Sequence, residues 1–513
     1  MVKPVYEASP VSAVWEITMG CNMRCKHCGS ACADALADEL TTEEALRLCD
    51  DLGELGFKWI TLSGGEPTTR QDWPLIAKGL RDNGIKPNII TNCWTLDSEF
   101  LDKTVEAGIN IIGISMDGMR ETHDFMRRPG SFQRITDALD LMRDKGIDVM
   151  IITTVNELNL PELAAMREFL TDKGVRGWQL QIGFPMGSMA DHTDLILKPP
   201  GMDTIIDFAY ETMQEGKIEV VPSDCIGYYN LKEMEIIKSR CDGKYPWQGC
   251  TAGKYTLGIL HNGDITGCTS IRDRKYIEGN IRNTPLREIW ENPDSFSWNR
   301  QMKKDRLEGF CGKCRFGEKC LGGCANTKFT MGGSVHAENR YCSYNLAVKN
   351  SAKHFSNITS VEELKTKGQR LAESGYYQLA EIPLSLASNQ PDGEKDVELL
   401  SLYGYVSFRL ENYESALNAN DKVLSIMPDN AYALNGKGLT LAKLGRTGEG
   451  IEFLKKATAL ADENYTDTYY DLAVVLMEND MRNDAISVLE EGRIKSTAFV
   501  EKSQRFYNEL KSF

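Results

Sequence analysis

The first two hundred residues alternate between two hydrophobic patterns. Short apolar or β-branched runs predict strands, and between them apolar residues recur at the spacing of one helix face. The predicted strands are Val11–Thr18, Trp59–Ser63, Asn88–Thr91, Ile109–Ser115, Val149–Val155 and Trp178–Ile182. The predicted helices are Thr42–Leu55, Trp73–Asn83, Ser98–Ala107, Phe132–Lys145 and Pro161–Lys173. This alternation predicts an α/β fold with a parallel sheet, here a partial (β/α)6 barrel, whose functional residues lie at the carboxyl ends of the strands.

Residues 362–513 repeat a helical pattern with small residues at two recurring places. The first place is occupied by Gly368, Gly404, Gly438 and Ala473, and the second, twelve residues later, by Ala380, Ala416, Gly450 and Ala485. Pro391 and Pro428 end the first two units. A period near 34 is typical of tetratricopeptide repeats, which stack into a superhelix with a peptide-binding groove. Because the tryptophan of that repeat is absent here, an irregular helical bundle is the alternative.

The segment between these two regions has little periodicity and is rich in Gly, Cys and charged residues. Metal ligation could stabilise such a segment where apolar burial does not. We therefore predict an α/β core (residues 1–200), a helical bridge (201–240), a cysteine-rich domain (241–345), a linker (346–361) and the helical repeats (362–513).

Charge and hydropathy limit the classes of binding partner that the chain is expected to have. The chain has 59 basic and 74 acidic residues, a net charge of −15, which argues against a nucleic acid or an anionic membrane as the main partner. It has no apolar run long enough to span a membrane, and the residues Met1–Glu7 show no secretory signal. We expect a cytoplasmic protein.

Fifteen cysteines in such a chain favour metal binding or redox chemistry over disulfides. Cys21, Cys25 and Cys28 follow the first predicted strand directly. Three thiolates on one loop can ligate three irons of a [4Fe–4S] cluster and leave the fourth iron open. A zinc site is the alternative, but zinc favours two CxxC pairs and four ligands.

The triplet Cys21-x3-Cys25-x2-Cys28, followed by Gly64-Gly65-Glu66-Pro67 after the second strand, resembles the radical S-adenosylmethionine (SAM) superfamily. The resemblance implies that this Gly-Gly-Glu-Pro stretch holds the amino group of SAM. His27 stands at the family's aromatic position before the third cysteine. The resemblance further implies SAM contacts from two more strand ends, from Asn92 at one and from Ser115 and Asp117 at the other. Asp117 could instead be a turn residue before Gly118, and no catalytic residue is predicted.

Seven further cysteines resemble the SPASM extension found in enzymes that mature peptides and proteins. Their spacing is Cys250-x12-Gly263-x4-Cys268, then Cys311-x2-Cys314-x5-Cys320-x3-Cys324, then Cys342. The resemblance implies two auxiliary [4Fe–4S] clusters, which makes three clusters in all. Cys250, Cys268 and Cys324 would hold the first auxiliary cluster, and Cys311, Cys314, Cys320 and Cys342 the second. For the fourth ligand of the first we favour Cys241; Cys225 is the alternative, and an open iron is the third possibility.

The resemblance implies reductive cleavage of SAM to a 5′-deoxyadenosyl radical and oxidative modification of a substrate, as a crosslink or a dehydrogenation. We expect a peptide or protein substrate, bound in part by the C-terminal repeats, and an external one-electron donor of the flavodoxin or ferredoxin type. The alternatives are a small-molecule step in haem or cofactor biosynthesis, and a scaffold whose clusters are only structural. Formylglycine formation is disfavoured, because Thr269 stands where those enzymes carry an aspartate base.

Overall fold

The protein was analysed as a computed structural model that describes residues 10–223, 225–243, 248–463 and 465–512. The first nine residues, in which the sequence predicts no secretory signal, lie outside this range. The chain divides into two compact units, Met1–Leu346 and Ala347–Phe513.

The first unit is built on one sheet, in which the described residues form ten strands. They are β1 (Ser12–Thr18), β2 (Trp59–Gly64), β3 (Lys86–Thr91), β4 (Ile111–Ser115), β5 (Val149–Val155), β6 (Gly177–Ile182), β7 (Glu219–Pro222), β8 (Thr256–Ile259), β9 (Asp264–Thr266) and β10 (Ile277–Asn280). Their order is β10-β9-β8-β1-β2-β3-β4-β5-β6-β7. Strands β1 to β7 are parallel neighbours, so the predicted parallel α/β core is confirmed. The seventh strand lies in the segment for which the sequence predicted only a helical bridge.

The cysteine-rich segment adds the other three strands to the same sheet. β8 pairs in parallel with β1 on the side opposite β2. β9 and β10 continue outward as antiparallel neighbours. The core strand β1 therefore lies between its own α/β neighbours and the cysteine-rich segment, and both regions belong to the first unit.

Amphipathic helices cover the parallel strands. They are α1 (Thr42–Leu55), α2 (Trp73–Asp82), α3 (Ser98–Ala107), α4 (Arg120–Met126), α5 (Ser131–Asp144), α6 (Leu163–Asp172), α7 (Gly201–Glu215) and α8 (Leu231–Arg240). Helix α1 begins with a capping box, in which the Thr41 side chain accepts from the Glu44 N–H and the Glu44 carboxylate accepts from the Thr41 N–H. Glu44 also pairs with Arg282, just beyond β10, so this cap joins the core to the cysteine-rich segment.

Short helices follow in the cysteine-rich segment, and buried polar side chains hold them. The helices are α9 (Leu286–Glu291), α10 (Ser297–Arg300), α11 (Gly309–Lys313), α12 (Gly317–Cys320), α13 (Ala325–Gly332) and α14 (Ser343–Phe355). The buried Arg300 guanidinium donates to the carbonyls of Gly253 and Trp290. These bonds satisfy backbone groups that have no helix or sheet partner. Helix α14 also occupies much of the stretch 346–361 that was predicted as a linker.

The described residues of the second unit are helical apart from short connections. The helices are α15 (Val361–Glu373), α16 (Tyr377–Ser388), α17 (Val397–Arg409), α18 (Tyr413–Ile426), α19 (Ala431–Lys443), α20 (Thr447–Leu460), α21 (Asp467–Glu478), α22 (Arg482–Lys495) and α23 (Thr497–Lys511). Pro391 and Pro428 follow the ends of α16 and α18, as predicted. The recurring small residues lie where paired helices touch, since a Cβ on Gly438 would come within 2.8 Å of the Gly450 carbonyl oxygen.

In the part of the chain that the structure describes, each helix is too short or too polar to cross a membrane.

The packing of α19 on α20 gives a test with a matched control. A Cβ on Gly438 would lie 2.6 Å from Leu454 Cγ, whereas a Cβ on the exposed Gly448 would have no neighbour within 4 Å. We expect Gly438→Ala to destabilise the protein by about 1–3 kcal/mol, as overpacking does. Gly448→Ala should be neutral or slightly stabilising, because alanine is the better helix former. Urea unfolding followed by circular dichroism measures both, and a G438A midpoint at or above that of G448A would contradict this packing.

Candidate active site and metal centres

A cavity of about 1580 Å³ lies over one face of the sheet in the first unit. Alternate residues of its strands line it, such as Gln179 and Gln181 of β6, because side chains on one face of a strand recur with a period of two. Two groups of thiols open into this main cavity. One is Cys21, Cys25 and Cys28 of the cluster loop (residues 21–28); the other is Cys225, Cys241, Cys250, Cys268 and Cys324.

The cluster loop leaves β1 and is shaped by its own backbone hydrogen bonds. The Cys21 N–H donates to the Ala33 carbonyl at 2.8 Å, and the Cys28 N–H donates to the Cys25 carbonyl at 3.2 Å. Burial raises the pKa of Cys25 to about 11. The hydrogen-bonded thiol of Cys32 lowers the pKa of Cys28 to about 5. Three free thiols on one loop, facing a wide cavity, fit the donor set of an iron–sulfur cluster.

Gly64 and Gly65 stand where the end of β2 crosses the chain that leaves β1. A Cβ on Gly64 would lie 2.2 Å from the Thr18 carbonyl oxygen, and one on Gly65 would lie 2.1 Å from that of Gly20. Gly64 also has a φ of 121°, a conformation that favours glycine. Both line the main cavity, but close backbone approach already requires glycine at these two positions.

Glu66 joins three strand ends beside the cluster loop. Its buried carboxylate accepts from the Thr91 hydroxyl at 2.9 Å and from the Asn92 N–H at 2.8 Å. The Asn92 side chain in turn donates to Asn22 Oδ1 in the cluster loop at 2.8 Å. Burial raises the pKa of Glu66, although these hydrogen bonds oppose the shift. Glu66 and Asn92 both line the main cavity, as do His27 and Ser115.

Asp117 and Pro67 are not among the described residues that line the cavity. Pro67 begins a short 3₁₀ turn. Asp117 is fully buried, and its carboxylate accepts from the Thr154 N–H at 2.8 Å, from Arg127 Nε at 2.5 Å and from His27 Nε2 at 3.0 Å. Burial would raise the pKa of Asp117, but the charges of Arg127 and His27 outweigh it and hold the pKa well below its usual range. The structure thus places Asp117 as an anchor for these two side chains, and the SAM contact that the resemblance implied for it stays a prediction.

Arg127 was not predicted from the sequence as a residue of the site. Its guanidinium lines the main cavity, and Nη1 lies 3.9 Å from Cys25 Sγ. His123 completes the arrangement, because its Nδ1 accepts from the Asp117 N–H at 3.0 Å. Burial, reinforced by the charge of Arg127, lowers the pKa of His123 to about 3, so His123 stays neutral. A permanent cation is therefore held against one thiol of the cluster loop. No periodicity marks Arg127 in the sequence, and its anchor Asp117 is ten residues away.

The seven cysteines that were predicted to hold the auxiliary clusters lie in two separate places. Cys250, Cys268 and Cys324 open into the main cavity. A second, small cavity is lined by the other four, Cys311, Cys314, Cys320 and Cys342, together with Tyr228 and Tyr229. Their thiols fit iron–sulfur ligation in both places.

Buried ions connect the cysteine-rich segment to the core. Arg272, four residues after Cys268, pairs with the buried Glu16 of β1 and lies 2.5 Å from Ser30 Oγ, just after the cluster loop. Lys328 is buried and donates to the Leu321 carbonyl at 2.9 Å. Burial lowers the pKa of Lys328, and nearby thiols of both cysteine places oppose the shift.

Two sequence families match the chain. The Radical SAM superfamily matches residues 15–170, and SPASM, an iron–sulfur cluster-binding domain, matches residues 250–315. The AdoMet-dependent heme synthase of Methanosarcina barkeri is 31% identical over 346 residues, which is 66% of this chain and 97% of that protein. The mycofactocin maturase MftC of Mycolicibacterium smegmatis is 26% identical over 63% of this chain and 80% of that protein.

A solved structure shares the fold of the first two thirds of the chain. SuiB of Streptococcus suis, bound to S-adenosylmethionine, superposes with a TM-score of 0.53 at 15% identity and covers 65% of this chain and 76% of that one. SuiB has also been solved bound to its precursor peptide SuiA. The family matches, the heme synthase relative and the thiol-lined cavity agree: the chain belongs to the radical SAM superfamily, and it is an enzyme that binds SAM, a [4Fe–4S] cluster and, in its SPASM domain, auxiliary iron–sulfur clusters.

Proposed function

We propose that this radical SAM enzyme oxidatively modifies a peptide or protein by forming a crosslink or a double bond. The observation that carries the proposal is the shared main cavity. It exposes the cluster loop and the thiols of Cys250, Cys268 and Cys324 to the same space. A substrate in that space can lie against the SAM site and the first auxiliary cluster together.

In this proposal Cys21, Cys25 and Cys28 hold the SAM-binding cluster. When bound, the reduced cluster supplies the electron that cleaves SAM, and the resulting 5′-deoxyadenosyl radical abstracts a hydrogen atom from the substrate. Glu66 presents a carboxylate for the ammonium group of SAM, and His27, Asn92 and Ser115 line its surroundings. Cys250, Cys268 and Cys324 hold one auxiliary cluster, and Cys311, Cys314, Cys320 and Cys342 hold the other.

The second unit supports a peptide substrate. Its paired helices, with small residues at their contacts, fit tetratricopeptide-like repeats, which bind peptides on one face. Polar and aromatic groups of successive helices also contact one another: Asn435 donates to Asp471 at 2.7 Å, and the rings of Tyr432 and Tyr465 lie 6.0 Å apart. Amide and carboxylate groups beside aromatic rings suit a peptide, which offers both main-chain hydrogen bonds and apolar side chains. The relatives named above include a maturase and a protein solved with its precursor peptide.

A tetrapyrrole is the second candidate substrate. The 31% identical relative is named a heme synthase and is covered almost completely by this chain. Besides Arg127, the cationic side chains of Arg240, Lys254 and Lys319 line the main cavity, and cations of this kind pair with carboxylates such as those of a tetrapyrrole. Either reaction would need an external one-electron donor of the flavodoxin or ferredoxin type, and we propose that it takes place in the cytoplasm.

The ligand role of Cys25 is tested by Cys25→Ala. Loss of one of three thiolates should abolish release of 5′-deoxyadenosine from SAM by the reduced enzyme. It should also lower the iron content from about twelve to about eight per chain, since three clusters hold four irons each. Cys49→Ala, in the core of α1 and away from the cavity, is the control and should keep both. Continued SAM cleavage by C25A would contradict the assignment.

The role of Arg127 is tested by the reduction potential of the SAM-binding cluster. Reduction adds a negative charge, so removing the adjacent cation in Arg127→Gln should shift the potential to a more negative value. Arg127→Lys, which keeps the charge, should restore most of it. Arg120→Gln is the control, because the exposed Arg120 of helix α4 donates to Gln133 and not to the cluster loop. Redox titration followed by electron paramagnetic resonance measures all three, and an unchanged potential in R127Q would exclude this role.

The substrate class is tested by mass spectrometry after coexpression with short peptides encoded beside the gene. A peptide substrate should lose about two hydrogens per modification, because forming one crosslink or one double bond removes two hydrogen atoms. Deleting residues 362–513 should abolish that change and leave the release of 5′-deoxyadenosine intact. Anaerobic incubation of the purified enzyme with an iron tetrapyrrole is the competing arm. Conversion of the tetrapyrrole, with every peptide unchanged, would replace the peptide proposal with the second candidate.

A further inference from the structure

We propose that Cys225 is the fourth ligand of the first auxiliary cluster, beside Cys250, Cys268 and Cys324. The proposal rests on the proposed function, since it assumes that these three thiols hold that cluster. It reverses the expectation from sequence, which favoured Cys241 because Cys241 is only nine residues from Cys250.

Cys225 reaches the main cavity from the last parallel strand. It lies three residues beyond the end of β7, at the carboxyl edge where the strands of such a sheet present functional groups. It lines the same cavity as Cys250, Cys268 and Cys324. Its Sγ lies 3.0 Å from Ser223 Oγ, so a hydroxyl stands beside this thiol.

The chain after Cys225 is held in an unusual conformation. Gly227, Tyr228 and Tyr229 have φ values of 104°, 76° and 61°. Left-handed backbone costs energy for a residue with a side chain, of the order of 1 kcal/mol or more, and persists where surrounding contacts impose it. Here contacts with the cysteine-rich segment surround this left-handed stretch of backbone.

Three contacts of this turn reach residues at or near predicted cluster ligands. The Cys324 N–H donates to the Tyr228 hydroxyl at 2.9 Å. The Ser343 N–H, one residue after Cys342, donates to the Gly227 carbonyl at 3.0 Å. The Tyr229 ring stacks on Phe316, with centroids 3.8 Å apart. The turn that carries Cys225 is therefore fixed against the ligand-bearing segment at three points.

Gly323 shows how closely the turn and that segment approach. A Cβ on Gly323 would lie 2.6 Å from Cζ of the Tyr228 ring. The ring thus packs directly on the backbone that precedes Cys324. This approach fixes the distance between the turn and Cys324, and with it the place of Cys225.

The electrostatics agree with this placement. Burial raises the pKa of Cys324 well above its usual range, and the thiols of Cys250, Cys225 and Cys268 raise it further, in that order. Cys225 therefore lies near Cys324, as do Cys250 and Cys268, which the spacing pattern had already grouped with it. Four thiols gathered at one place are the donor set of a closed [4Fe–4S] site.

Cys241 also lines the main cavity, but its backbone is held elsewhere. It ends α8, and its N–H donates to the Lys238 carbonyl of the same helix at 3.2 Å. Part of the chain between it and Cys250, residues 244–247, lies outside the described residues. Four thiolates from the other cysteines would leave this cluster without an open iron, so a substrate would lie beside the cluster and would not be ligated by it.

The test compares Cys225→Ser with Cys241→Ser in the full chain, reconstituted anaerobically with ⁵⁷Fe. Iron content and Mössbauer spectra are read out, so the result does not depend on substrate turnover. We expect C225S to lose between one and four irons from about twelve, and its spectrum to lose or convert one of three cubane components. We expect C241S to match the unaltered protein. Cys225→Asp offers the iron a carboxylate instead and should recover part of the lost iron, which separates ligand loss from misfolding.

Four outcomes would overturn the proposal. Iron loss in C241S with none in C225S would make Cys241 the ligand. No loss in either variant would mean that the first auxiliary cluster has an open iron. Equal loss of iron in C225S and C241S, without recovery in C225D, would show that the substitutions disturb the structure of this segment of the chain and do not remove a ligand. If the unaltered protein itself holds only about eight irons, the two-cluster assignment fails first, and the proposal for Cys225 falls with it.

Discussion

The central position of β1 constrains the rest of the first unit. β1 pairs in parallel with β2 on one side and with β8 on the other, so the catalytic core and the cysteine-rich segment share one hydrogen-bonded sheet. The same strand leads into the cluster loop and carries the buried Glu16. Glu16 forms an ion pair with Arg272, which lies four residues after Cys268. Because a change in register would move every side chain of a strand to the other face, this pairing fixes the distance between the two groups of thiols. The main cavity between them follows from that geometry.

Buried charge is the second constraint, since the thiolates that hold a cluster are anionic and lie away from water. A buried charge without a partner costs several kcal/mol, and the protein places cations beside the thiols. Arg127 is oriented by Asp117 and lies against Cys25, whereas Lys328 is buried close to cysteines of both auxiliary places. Asp117 thus acts on Cys25 indirectly, because it orients the Arg127 cation that lies against Cys25. The neutral His123 supports Asp117 without adding a charge.

Most of the core fold could be predicted from the sequence because its elements are local and strongly periodic. The strand β5 and the helices α1 and α3 begin and end where their patterns do, and the Thr41–Glu44 cap is formed. The strands β8 to β10 were not predicted, because they are three or four residues long and have no clear period. Their place in the sheet depends on pairing with β1, which is more than two hundred residues away in the chain. The seventh strand was missed for the same reason, since β7 is short and lies between two helices.

Candidate site residues could be proposed from the sequence where the chemistry is carried by contiguous residues, and not where it depends on tertiary contacts. The Cys21–Cys28 triplet and the Gly64–Glu66 stretch can be recognised by their spacing in the sequence. Gly64 and Gly65 are also required by the close approach of the backbone of residues 18–20. Arg127 and Cys225 carry no such signal. Cys241 was favoured over Cys225 because it is nearer to Cys250 in the chain, but α8 and the turn at Tyr228 make chain distance a poor guide. The turn folds back on Cys324 through the Tyr228 hydroxyl and the bare backbone of Gly323. A ligand set assembled by such contacts can be read only from the folded chain.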